Sequence, residues 1–105
     1  MEYSIDAVNM KKEVADEYMA KVVYTFTISN GLAKTHAAVV LTEAGAAIIE
    51  QKGKDPQTAA KIVLERLLKK GRDPFGPQIL LTVPYGHAEY FARFGNYETL
   101  PTLAD

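Results

Sequence analysis

The sequence predicts an α+β domain: an antiparallel β-meander or hairpin sheet packed against two helices, with a further short strand and an aromatic C-terminal segment. Three observations carry this reading. Residues 21–41 alternate apolar and polar side chains on either side of Asn30-Gly31, the pattern of a β-hairpin. Residues 55–71 repeat apolar side chains at helical spacing between a capping aspartate and a terminal glycine. The chain has 105 residues, 48% of them hydrophobic, which suits one core and is too apolar for disorder. One domain over residues 1–97 follows, with residues 98–105 as a C-terminal tail.

Tyr3, Ile5 and Ala7 alternate with Ser4 and Asp6, so a first strand is expected near residues 2–8. Met10, Val14 and Tyr18 then recur at helical spacing, and residues 9–20 read either as a polar connection or as a short helical turn. Lys21 to Ser29 is rich in β-branched and aromatic residues. Val22, Tyr24, Phe26 and Ile28 share one face; Thr25, Thr27 and Ser29 share the other. A two-residue turn at Asn30-Gly31 pairs Ser29 with Leu32. It sets Ile28 by Ala33, Phe26 by Thr35, Tyr24 by Ala37 and Val22 by Val39, with Leu41 extending the apolar face. On the other face it sets Thr27 by Lys34 and Thr25 by His36.

Thr42 is placed to cap a helix over residues 43–52, with Gly53 as its stop. Ala44, Gly45, Ala46 and Ala47 are small, so this helix is expected to press closely on a neighbour. Gly53-Lys54-Asp55-Pro56 links it to the helix 56–70, where Asp55 is the N-cap and Pro56 fits the first helical position. Ala60, Val63, Leu64, Leu67 and Leu68 cover roughly 140° of that helix, the stripe of a helix lying on a core. Ile62 falls among the polar positions, either as a lone surface residue or as one covered by another segment or chain. After the turn segment Arg72-Asp-Pro-Phe-Gly-Pro77, residues 78–83 have the length and apolarity of a fourth strand. It joins the sheet edge or closes the layer on the other side. Residues 87–94 suggest a short helix ending at Gly95, with Phe91, Phe94 and Tyr97 making this end aromatic.

The chemistry-bearing residues are few. The absence of cysteine excludes thiol catalysis, disulfides and cysteine metal sites, and fits a reducing compartment. His36 and His87 are the only histidines. His36 reads as a solvated sheet residue, and no carboxylate spacing completes a metal site around either. Ser4 and Ser29 stand outside any nucleophile-elbow pattern, and no phosphate-binding glycine motif occurs. Asp16-Glu17 reads as solvated charge. No cofactor is implied and an enzyme is not supported. No apolar run has the length to span a bilayer, and the N-terminus lacks a secretory pattern, so a cytoplasmic protein away from the membrane is expected.

Charge is uneven along the chain. The formal net charge is −1, yet Lys52 to Arg72 carries seven basic residues against Asp55 and Glu65. Over residues 35–70 the order of strand, helix, Gly-Lys-Asp-Pro link and helix loosely resembles the ribbon–helix–helix DNA-binding proteins. That resemblance implies Lys34, Thr35 and His36 as groove-reading side chains. The strand here turns apolar after His36 and already has a hairpin partner through Asn30-Gly31, and no membership follows.

Three functional readings are compatible with these residues. The favoured one is a non-enzymatic binding or protein-interaction module, self-associating, with Ile62, Arg66, Lys69, Lys70 and Arg72 as its surface. The first alternative is a nucleic-acid-binding regulator using the basic helix. The second is a small ligand-binding domain or enzyme with a pocket near Tyr85, His87 and Tyr90.

Overall fold

The computed structural model describes residues 3–14 and 20–105. The expectations for residues 15–19, including Tyr18 and the Asp16-Glu17 pair, lie outside the described residues. Four strands, β1 (Ser4–Val14), β2 (Ala20–Ser29), β3 (Lys34–Thr42) and β4 (Ile79–Val83), form one sheet in the order β1-β2-β3-β4. Three helices, α1 (Glu43–Gln51), α2 (Pro56–Lys69) and α3 (Tyr85–Phe94), complete the α+β fold.

The hairpin faces follow the alternation. Val22, Tyr24, Phe26, Ile28, Ala37, Val39 and Leu41 are all buried, and the parallel pairing of β4 with β3 adds Ile79, Leu81 and Val83 to the same face. These side chains share one core with Ile49 of α1, Ala60, Val63, Leu64, Leu67 and Leu68 of α2, and Ala88, Phe91 and Ala92 of α3. The helices therefore cover one face of the sheet.

Two expectations are corrected, the hairpin register and the extent of the first strand, and the direction of the fourth strand is added. The hairpin register is displaced by two residues: Ser29 pairs with Lys34, Phe26 with Ala37, Tyr24 with Val39 and Val22 with Leu41. Asn30 is the cause. Its Oδ1 accepts from the main-chain N–H of Leu32 at 3.0 Å and of Ala33 at 2.9 Å, folding residues 30–33 into the loop in place of a two-residue turn. On the outer face Thr27 consequently meets His36, and Thr25 meets Ala38. The sheet is mixed, because β4 runs parallel to β3: the α1–α2 crossover returns the chain to the same end of the sheet. The first strand continues through Val14, so residues 9–14 are strand. A bulge between Ala7 and Asn9 interrupts its pairing with β2 and defeats a simple alternation.

The helix ends match their local chemistry. Thr42 Oγ1 accepts from the Gly45 N–H, and Asp55 accepts from the Gln57 N–H and the Thr58 hydroxyl. α3 starts two residues before the expected position. The Pro84 carbonyl accepts from the N–H groups of His87 and Ala88, and Gly95 ends the helix at φ 73°. Gly45 is where α1 presses on α3: a Cβ there would stand 3.1 Å from the Ala88 methyl. Lys54 ties the α1–α2 link to the end of α3 by donating to the Ala92 carbonyl at 2.8 Å.

Candidate interaction surface

The basic flank of α2 lies beneath the chain's own C-terminal segment. Ala59, Ile62 and Arg66 fall within about 60° of one another around the helix. The Tyr97 hydroxyl donates to the Ala59 carbonyl at 3.2 Å, and the Arg66 guanidinium donates to the Leu100 carbonyl at 2.6 Å. Beyond the helix, Arg72 pairs with Asp105 at 2.7 Å and also donates to the carbonyls of Asp73 and Pro77. The segment thus follows α2 in the same direction, with Leu100 and Leu103 packed on the core. Ile62 sits between two of these ties and is itself half-buried against the core. Lys69 and Lys70 remain exposed.

The Arg72–Asp105 pair shifts both groups toward their charged forms. The hydrogen bond from Arg72 holds the Asp105 carboxyl below its ordinary value, and Asp105 raises the guanidinium. Tyr97 is fully buried and stacks on Phe91 at 5.0 Å. Burial pushes its hydroxyl pKa up, against a smaller lowering by Arg66. Burial likewise raises Tyr24 to about 12, assisted by the charges of Glu50 and Asp55.

Tyr85, His87 and Tyr90 share α3. Of these, the last two lie about 60° apart around the helix, one turn from each other. Tyr85 and His87 point about 160° apart around it. Tyr85 is exposed, whereas Tyr90 is tied to the Thr99 hydroxyl and packs on Phe94 at 4.6 Å. His87 is half-buried, and its Nε2 is a buried nitrogen without a hydrogen-bond partner among the described residues. No group of three or more metal-ligating side chains is assembled among the described residues.

Exposed apolar side chains occur on the sheet as well as at Tyr85 and Phe94 of α3 and at Leu32 in the β2–β3 loop. On the face away from the helices, Val23, Ala38, Val40 and Leu80 lie together, framed by Thr25, Thr27 and Thr82. His36 is exposed on this face and shares a 3.3 Å hydrogen bond with Thr27. Val40 is buried, but Leu80 is 59% exposed. At the β1 edge, Val8 and Met10 are 58% and 53% exposed. Neither Val8 nor Met10 stands out as a surface residue in the sequence alternation. A signal was available in Ala7-Val8, adjacent apolar residues in a strand that otherwise alternates, which marks the bulge.

Among the described residues no helix is long and apolar enough to cross a membrane. Set against family models, curated proteins and solved structures, the chain matches none of them.

Proposed function

We propose that the chain is a non-enzymatic interaction module that associates with a second copy of itself through the sheet side. The supporting observation is the pair of exposed apolar side chains on the edge strand β1, Val8 and Met10, while the flank of α2 is occupied by the C-terminal segment; Leu32, Leu80, Tyr85 and Phe94 are exposed singly elsewhere. Apolar side chains left open on an edge strand, as Val8 and Met10 are on β1, are characteristic of interaction sites. A net charge near zero imposes little long-range repulsion between copies. The cysteine-free sequence fits a reducing compartment, and the cytoplasm is the location this reading carries.

The nucleic-acid reading has less support. Two of the strongest phosphate-binding candidates, Arg66 and Arg72, spend their donors on main-chain carbonyls and Asp105. The self-association reading is tested by light scattering on the purified chain during gel filtration. A dimer is expected at high micromolar concentration; a monomer throughout would overturn it.

A further inference from the structure

We infer that two copies of this chain pair along β1, antiparallel, about a two-fold axis between Val8 and Asn9. The inference rests on the self-association reading and specifies its geometry. β1 is an 11-residue strand at the edge of the sheet, and nearly all of it between Ser4 and Lys12 is exposed. A long edge strand presents a row of main-chain donors and acceptors to any strand that can approach it.

The bulge restricts how a second β1 fits. Side chains directly opposite each other in an antiparallel pair lie on the same face. Pairing with β2 places Ser4, Asp6, Asn9, Lys11 and Glu13 on the helix-free face, and Ile5, Ala7, Met10 and Lys12 on the helix side. An axis passing through a residue would oppose the two faces; on Asn9, for example, it sets Asp6 against Lys12. An axis between residues keeps the faces matched across the bulge. Between Val8 and Asn9 it sets Asp6 opposite Lys11 and Ala7 opposite Met10, each twice by symmetry. Moving the axis one residue toward the C-terminus sets Asp6 against Glu13, a repulsion. Moving it one residue toward the N-terminus leaves Lys11 opposite Ser4 and shortens the ladder. Charge complementarity thus selects one register.

The same features select the partner. Lys11, Lys12 and the bulge oppose an arbitrary incoming strand. A second copy supplies Asp6 for Lys11 and a bulge at the matching place. Met10 lies on the helix side opposite Tyr24 yet is left 53% exposed, so the helical layer stops short of it. Ala7 of the second copy would cover it and join the two sheets into one.

The test combines native mass spectrometry with amide hydrogen exchange on the full chain at high and low concentration. A dimer is expected, with residues 4–13 gaining protection as it forms. Asp6→Lys should raise the dimer dissociation constant about tenfold, by placing like charges opposite each other at two symmetric positions. Combining Asp6→Lys with Lys11→Asp should restore it, with circular dichroism verifying that both variants fold. A monomer at every concentration overturns this pairing together with the self-association reading. A dimer that gains no protection in β1, ignores the charge reversal or is not restored by the swap overturns the edge pairing alone.

Discussion

The Arg66 guanidinium donates to the Leu100 main-chain carbonyl across 34 positions of sequence, at 2.6 Å. This bond holds the C-terminal segment on the flank of α2 that carries Ile62. A charge-assisted hydrogen bond contributes about 1.5–3 kcal/mol. Arg66→Leu keeps an apolar stem and removes the donor, leaving a part-buried carbonyl unpaired. We expect Tm to fall by roughly 6–12 °C, given a dependence of about 4 °C per kcal/mol in a domain of this size. Lys69→Leu, one turn away and exposed, should change stability by no more than about 0.5 kcal/mol. Equal effects in the two variants would show that the Arg66 bond does not anchor the segment.

The end of the segment should respond to acid. Arg72 lowers the Asp105 pKa in the folded state, so the pair's stabilisation is fully present above the ordinary carboxylate value. It is lost as pH falls below about 4 and through the folded-state value. The amide resonances of Leu103 and Ala104 should therefore shift on acidification, ahead of global unfolding. Asp105→Asn should already show the detached shifts at neutral pH and should not change further. An unchanged acid transition in that variant would assign it to other carboxylates.

Gly45 tests the contact between α1 and α3. A Cβ there would meet Thr42 Oγ1 at 3.0 Å and the Ala88 methyl at 3.1 Å, closer than ordinary packing. Gly45→Val should destabilise the domain by about 1–3 kcal/mol, as overpacking does. Gly45→Ala sets these contacts against a helix-propensity gain of about 1 kcal/mol. In an Ala88→Gly background one clash disappears, so the alanine should be better tolerated there. Chemical denaturation of the four variants measures the coupling, and strict additivity would mean that the two helices do not meet at this point.

The core was legible and the hairpin register was not, and Asn30 explains both. Side chains alternate with period two, so a displacement of two residues leaves Val22, Tyr24, Phe26 and Ile28 facing the helices. Turn length depends on where the Asn30 carboxamide finds donors, which the hydrophobic pattern does not encode. Asn30→Ala should cost about 0.5–1.5 kcal/mol through the loss of its bonds to Leu32 and Ala33. Urea denaturation would show it, and a neutral result would mean that the strands, not the loop, set the register. The parallel direction of β4 was equally hidden, because residues 78–83 read alike in either direction. Around α2, the sequence singled out Ile62 and Arg66 but not the segment that is tied to Arg66. Leu100 and Leu103 come from a segment with neither helical nor strand periodicity, and its anchors are main-chain carbonyls that no side-chain pattern announces.

Alkali should unfold the domain through its buried tyrosines. Tyr24 is raised to about 12 and Tyr97 is raised as well, in both cases chiefly by burial. In the unfolded chain both ionise near pH 10. Between that value and the folded-state values, the folded form holds protons that the unfolded form has released. Stability must then fall as pH rises through this window, and it is unaffected below it. Tyr97 has a second reason to resist ionisation, because its hydroxyl donates to the Ala59 carbonyl and the phenolate could not. Tm should hold up to about pH 10 and drop beyond it. Tyr97→Phe should start from a lower Tm at neutral pH, having lost the bond to Ala59, and decline less steeply in alkali. Near-ultraviolet absorbance would follow the ionisation directly: Tyr24 and Tyr97 should ionise only as the domain unfolds. Ionisation of Tyr24 and Tyr97 while the fold persists would overturn the assignment.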